Sequence, residues 1–229
     1  MIRSFETLAR IPLFGDLPLA DVQRLDSQCI WRRAKTGEYI LDYNDGGAEL
    51  YFVVLGKVRV KIQAISGKES ILRDIRDGEF FGELAAIDGG PRSASIVAVT
   101  DSTVAKMPPG VFREIVHRRP EVCDRVLALL ASQVRMLANR VNEFSTLDVR
   151  GRIHAELLRL ARPERGGADR VISPPPTHAE LAARVSCQRE AVTRELGALV
   201  RSGLIERRRG AIALLDSARL AGGIEKSTQ

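Results

Sequence analysis

Between Trp31 and Pro108 the apolar residues come in short runs, "YFVVL", "VRVKIQAI" and "SILRDI", separated by Gly56-Lys57, Ser66-Gly67-Lys68 and Asp77-Gly78. β-Branched and aromatic runs bounded by turn formers at intervals of about 8–12 residues predict antiparallel hairpins that close into a sandwich or barrel, here a β-roll. The stretch before it, "LARIPLFGDLPLADVQRLDSQC", predicts two short helices, the second starting near Leu19 after Asp16 and Pro18.

After Pro108-Pro109 the period changes, and beyond the break at Pro120 the chain runs to about Phe144 without Gly or Pro. Leu127, Leu130, Val134, Leu137, Val141 and Phe144 follow one another at spacings of 3, 4, 3, 4 and 3. That a/d rhythm predicts a helix that pairs with another helix. The competing reading is a seam packed on the chain's own β-domain, although an a/d stripe is narrower than a globular core face.

A third stretch is helical again. "VRGRIHAELLRLA" carries apolar residues at 153, 157, 158 and 160, and "RPERGGADRVISPPP" interrupts it as a loop with a short strand at Val171-Ile172. Thr177-His178-Ala179-Glu180 has the T-x-x-E form of a capping box, so a helix starts just after the prolines. Ser186-Cys187 makes a tight turn, and a second helix runs from about Gln188 to Ser202, with Gly203 closing it. Two helices across so short a turn are the geometry that places the second in a DNA major groove. At 100° per residue Val192, Leu196, Leu199 and Val200 form its core face. Glu190, Arg194 and Arg201 fall within about 40° on the other side. Arg189 projects from the first turn, where recognition helices meet base edges.

Charge agrees with a polyanion partner for this end. Residues 150–229 hold 15 Lys+Arg against 9 Asp+Glu, whereas residues 1–149 hold 20 of each, so the net charge of +6 lies in the last third. A merely soluble basic domain is the alternative from charge alone. Cys29, Cys123 and Cys187 are far apart, without zinc or iron–sulfur spacing, and read as small buried hydrophobes in a reducing cytosol. No segment approaches 18 consecutive apolar residues and no signal peptide precedes the roll, so the expected place is the cytoplasm. Without a nucleophile–base pair, metal spacing or P-loop, the chain reads as a non-enzyme that requires no cofactor and holds no metal.

The densest chemistry is "GEFFGELAAIDGGPRSASIVAV", residues 78–99. Gly82 allows close backbone approach, and the N–H groups from Gly82 through Glu83 and Leu84 to Ala85 can point into a concavity if this is a short helical turn. Arg92 supplies a rigid fork suited to phosphate oxygens, and Ser93 a hydroxyl. A lone Glu/Arg pair would be an ordinary surface ion pair.

The string is more specific than that. "FGELA" followed by "PRSAS" resembles the phosphate-binding cassette of cyclic-nucleotide-binding domains, and "SCQREAVTREL" resembles the recognition helix of the CRP/FNR regulators. The resemblance spans nearly the whole chain and implies an α+β protein. Its parts would be an N-terminal antiparallel β-roll (1–110), a long dimerisation helix (111–147) and a C-terminal winged helix-turn-helix (148–229). It implies that Glu83 binds the ribose 2′-hydroxyl while Arg92, Ser93 and nearby amides hold the cyclic phosphate. It also implies that Arg189, Glu190 and Arg194, with Gln188 at the helix start, read TGTGA-like half-sites of a pseudo-palindrome. Thr177 and His178 would touch phosphate, and "GLIERRRGAIALLD" would form a wing with Arg207, Arg208 and Arg209 near the backbone. RNA polymerase is a further partner by the same resemblance, although the loop "RPERGGADR" departs from the activating surface, so activation and repression stay open. Where the family's cAMP-responsive activator has two hydroxyl residues against adenine, this chain has Leu137 and Ala138, with Asn139 beside them. The effector is therefore open between cAMP, cGMP and another anionic nucleotide. A vestigial pocket and a haem or redox sensor remain as alternatives, the haem version needing His117, His154 or a cysteine as axial ligand.

Overall fold

A computed structural model of the chain describes residues 7–43, 45–63, 69–164 and 170–225. The chain forms two compact units, Met1–Gln133 and Val134–Gln229. The expected turn at Ser66-Gly67-Lys68, residues 165–169 of the basic loop and the tail after residue 225 lie outside the described residues.

Among the described residues of the first unit, eight antiparallel strands make two four-stranded sheets. They are β1 (Ile30–Ala34), β2 (Tyr39–Leu41), β3 (Leu50–Leu55), β4 (Lys57–Gln63), β5 (Glu69–Arg76), β6 (Phe80–Phe81), β7 (Ser95–Ala98) and β8 (Ser102–Met107). One sheet runs β1-β8-β3-β6 and the other β2-β7-β4-β5. The unbroken apolar run of β3 is explained by burial on both faces. Tyr51 and Val53 point inward with Ile40, Val58, Ile75 and Ile96, while Leu50, Phe52 and Val54 face a second core under the N-terminal segment. At Gly56, between β3 and β4, φ is +102° and an added Cβ would stand 2.8 Å from Ser102 Cα, so only glycine fits this turn.

The second core is roofed by helices α1 (Leu19–Ser27), α3 (Pro109–Arg118) and the first turns of α4 (Pro120–Thr146); α2 (Glu83–Asp88) is the short insert in the roll. Only the latter of the two short helices expected before the roll is α-helical. Leu8–Arg10 and Pro12–Phe14 are instead two 3₁₀ turns, because Pro12 holds the preceding Ile11 in an extended conformation (φ −91°, ψ 117°). Arg119 pairs with Asp21 and Arg125 with Asp16, fastening α3 and the start of α4 to the N-terminal segment.

Along α4 the predicted seam is bare in the single chain. Val134 is 65 % exposed and Leu137 42 %, with Leu127, Val141 and Phe144 exposed as well, and only Leu130 packs partly on the apolar core beneath the roll. Within the first unit, the reading of a seam packed on its own β-domain fails for Leu127 and holds only in part for Leu130.

The second unit contains α5 (Val149–Leu160), β9 (Arg162–Pro163), β10 (Arg170–Ile172), α6 (His178–Val185), α7 (Arg189–Arg201), β11 (Ile205–Arg208), β12 (Ala211–Leu214) and α8 (Ser217–Glu225). Its sheet runs β11-β12-β10-β9, all antiparallel. Ile153, Leu157, Leu181, Val185, Val192, Leu196, Leu199 and Leu214 make the core. Val200, expected on that core face, is 40 % exposed. It lies about 80° round the helix from Val192, at the edge of the stripe, whereas Glu195 on the opposite edge is buried. Glu195 Oε1 lies 2.7 Å from His154 Nε2 and its Oε2 accepts from Arg150 at 3.0 Å. His154 is thus a helix-packing residue.

A buried ionic cluster, invisible to periodicity, joins the end of α4 to α5 and α6. Arg140 Nη1 donates to Glu156 at 2.9 Å, Arg140 Nη2 donates to the Arg184 carbonyl, and Arg184 Nη1 lies 3.6 Å from the other Glu156 oxygen. Arg159 also donates to Glu156 and to Glu143.

Candidate ligand cassette and nucleic-acid interface

Gly82 opens α2 in a left-handed conformation (φ +83°), and the space where its Cβ would stand is 2.9 Å from the Glu49 carbonyl and 3.0 Å from Arg92 Nη1. A side chain there would push the guanidinium away, which is why glycine occupies the position. Glu83 and Ala85 are buried, Leu84 and Ser93 are exposed, and the amides of Glu83, Leu84 and Ala85 are first-turn donors of α2.

Arg92 is only 3 % exposed. Its Nη1 donates to the Glu49 carbonyl at 3.0 Å and its Nη2 to the Glu49 carboxylate at 3.3 Å. Its Nε–H, also buried, has no acceptor among the described residues. Lys106 Nζ lies 2.7 Å from the other Glu49 oxygen, and both cations flank Tyr51, with Arg92 5.9 Å and Lys106 6.0 Å from the ring centroid. The hydrogen bond from Lys106 holds the Glu49 carboxyl below the usual carboxylate range, and Glu49 in turn raises Lys106. Sequence reasoning missed Glu49, Tyr51 and Lys106. The signal was present, since Glu49 precedes inward Tyr51 by two and Lys106 follows inward Val104 by two.

An open recess of about 560 Å³ borders the cassette, lined by Tyr43, Asp45, Gly46, Gly47, Gly90 and Pro91 among others. Its walls are the rim of the cassette; Glu83, Arg92 and Ser93 are not among them. Leu137 and Ala138 are exposed on α4.

In the second unit the capping box is complete. Thr177 Oγ1 accepts from the Glu180 amide at 3.2 Å, and the Thr177 amide donates to Glu180 Oε2 at 2.8 Å. Ser186 adopts a left-handed conformation (φ 51°), a strained choice for a residue with a side chain, and Ser186 to Gln188 separate α6 from α7. Gly203 (φ +67°) closes α7 with Leu204 N bonded to Leu199 O at 3.0 Å, the expected glycine stop. Arg189, Glu190 and Arg194 all project from α7 as exposed side chains, with no side-chain hydrogen bond or ion pair among the described residues, and Gln188 is exposed at its N-cap. His178 Nδ1 lies 2.8 Å from Thr193 Oγ1. The predicted wing is the β11–β12 hairpin, its turn at Arg209-Gly210; Arg207 and Arg209 are exposed, while Arg208 is held by Glu206 (2.7 Å) and Glu164 (3.1 Å).

The three cysteines are half-buried, less deeply than expected, and burial pushes the Cys29 thiol up to about 12. Among the described residues no group of three or more His, Cys, Asp or Glu could hold a metal, and no helix is long and apolar enough to cross a membrane.

A roll carrying this cassette, in one chain with a winged helix-turn-helix, defines a class: DNA-binding transcription regulators that sense a small ligand. The profile of the cyclic nucleotide-binding domain matches residues 31–119, and that of the Crp-like helix-turn-helix domain matches residues 151–222. The chain is 30 % identical to the CRP-like cAMP-activated global transcriptional regulator of Mycobacterium tuberculosis, over 94 % of this chain and 97 % of the relative. It is similar in structure to the catabolite activator protein of Thermus thermophilus, with TM-score 0.53 and 32 % identity over 93 % and 99 % of the two chains. A CooA mutant from Carboxydothermus hydrogenoformans shares the fold, with TM-score 0.79 and 19 % identity over 94 % and 95 %. The chain belongs to the CRP/FNR family of transcription regulators.

Proposed function

We propose that this protein acts in the cytosol as a homodimer whose binding to pseudo-palindromic DNA is gated by a cyclic nucleotide, with cAMP or cGMP as effector. The observation that carries the ligand reading is Arg92: a buried guanidinium beside a left-handed glycine, with one buried N–H unanswered among the described residues, is a prepared anion contact. Glu83 takes the ribose hydroxyl. Arg92, Ser93 and the amides from Gly82 to Ala85 take the cyclic phosphate, which replaces the Glu49 carboxylate at Nη2. The chemistry of residues 137 and 138 favours keeping the base open, since neither Leu137 nor Ala138 can hydrogen-bond to adenine.

The exposed seam of α4, within the segment 111–147, supports dimerisation. The segment 148–229 reads TGTGA-like half-sites through Gln188, Arg189, Glu190 and Arg194, with Thr177 and His178 on phosphate; RNA polymerase is a further partner of the promoter-bound dimer. Ligand gates DNA only by binding the DNA-competent state better than the other. Isothermal titration of the full chain with cAMP and with cGMP tests the pocket: heat with one of them is expected, and no heat with either at millimolar ligand would overturn it.

A further inference from the structure

The DNA-reading face holds a histidine whose proton is positioned by its neighbour. His178 opens α6, and its Nδ1 lies 2.8 Å from the hydroxyl of Thr193 on α7. That hydroxyl also donates to the Arg189 carbonyl one turn back, at 3.1 Å. A hydroxyl has a single proton, so with Arg189 as its acceptor, Thr193 Oγ1 can only accept from the imidazole. His178 therefore carries its hydrogen on Nδ1, and a neutral ring has no second one. Its Nε2 is then a bare lone pair, which cannot donate to a phosphate oxygen. Protonation at Nε2 turns it into a charged donor.

The charged groups that face the ring favour the neutral form before DNA arrives. Partial burial comes first, then Arg207 from β11 and Arg189 from α7, and together they hold His178 below the usual histidine range. Glu180, two residues on and on the far side of α6, is engaged with Thr177, and no carboxylate bonds to the ring among the described residues. A phosphate brought against Nε2 adds the missing negative charge and reverses that balance.

We propose that Thr193 is a positioning residue that locks His178 in its Nδ1–H form, so that the contact of His178 with a DNA phosphate takes up one solvent proton at Nε2. The inference rests on the DNA-binding reading of α6 and α7. The sign follows from linkage: the bound state holds the proton more tightly, so affinity is highest at low pH. It falls as pH rises above the value of free His178, by up to about tenfold per pH unit for each histidine engaged.

The test is fluorescence anisotropy of the full chain with cAMP present, on a duplex with two inverted TGTGA half-sites, at fixed salt, from about pH 6 to about pH 8. The wild type should lose affinity as pH rises, and His178→Arg, which donates without titrating, should flatten the profile. Thr193→Val should shrink the slope, because the released neutral ring can place its hydrogen on Nε2, and Thr193→Ser should restore it. Equal slopes in the wild type and His178→Arg, or in the wild type and Thr193→Val, would overturn the inference while leaving DNA binding intact. Absence of binding at every pH would overturn the DNA reading and this inference with it.

Discussion

In the β-roll Arg92 is buried and already answers Glu49, whereas on α7 Arg189 and Arg194 stand in solvent with no ion pair among the described residues. On the proposed reading both sites meet a phosphate, and they differ in what each would give up to bind it. At the cassette a phosphate would displace the Glu49 carboxylate from a guanidinium that is already desolvated, which makes the proposed binding an exchange. On α7 the arginines would lose only water and counterions, which suits the sequence-testing surface proposed for them. A third set of arginines, Arg140 and Arg184, is buried around the Glu156 carboxylate.

The largest expected effect concerns that third set. Glu156→Ala leaves two buried guanidinium groups without their shared carboxylate and should destabilise the second unit by about 3–5 kcal/mol, read by chemical denaturation. A loss under about 1 kcal/mol would break the distinction between buried and solvated arginines. Next, Arg92→Leu should weaken cyclic-nucleotide binding by about 1.5–3 kcal/mol in calorimetry while the roll stays folded. Arg189→Ala and Arg194→Ala should each cost about 1–3 kcal/mol on a TGTGA-type duplex and relax specificity at the base contacted, without lowering the melting temperature. The smallest change, Glu49→Gln, removes the competing charge from a partly exposed network and should tighten nucleotide binding by about 0.5–1 kcal/mol. Weaker binding instead would make Glu49 a ligand contact and end the exchange picture.

Much of this was legible in the chain because local rules and tertiary packing agree. The T-x-x-E box folds as a complete capping box, the a/d seam of α4 stands exposed, and Gly82 takes the left-handed backbone that its neighbourhood demands. What was missed depends on side chains meeting across elements. Glu49 and Lys106 sit on different strands and become a pair only through the β3–β8 register, in which Tyr51 stands opposite Lys106. Arg140, Glu156 and Arg184 come from three helices, and in each helix the charged residue reads as a solvated face until the others are placed. Val200 marks the opposite error, an apolar residue assigned to a core that ends one position short of it.

In the proposed scheme, occupancy of the cassette governs DNA binding. Its most direct test is the affinity of the full chain for the inverted TGTGA duplex, measured by anisotropy at one salt concentration with and without saturating cyclic nucleotide. Ligand should tighten DNA binding about 5- to 150-fold, and Arg92→Leu should abolish the effect. Superimposable curves with and without a nucleotide that calorimetry shows to be bound would contradict it.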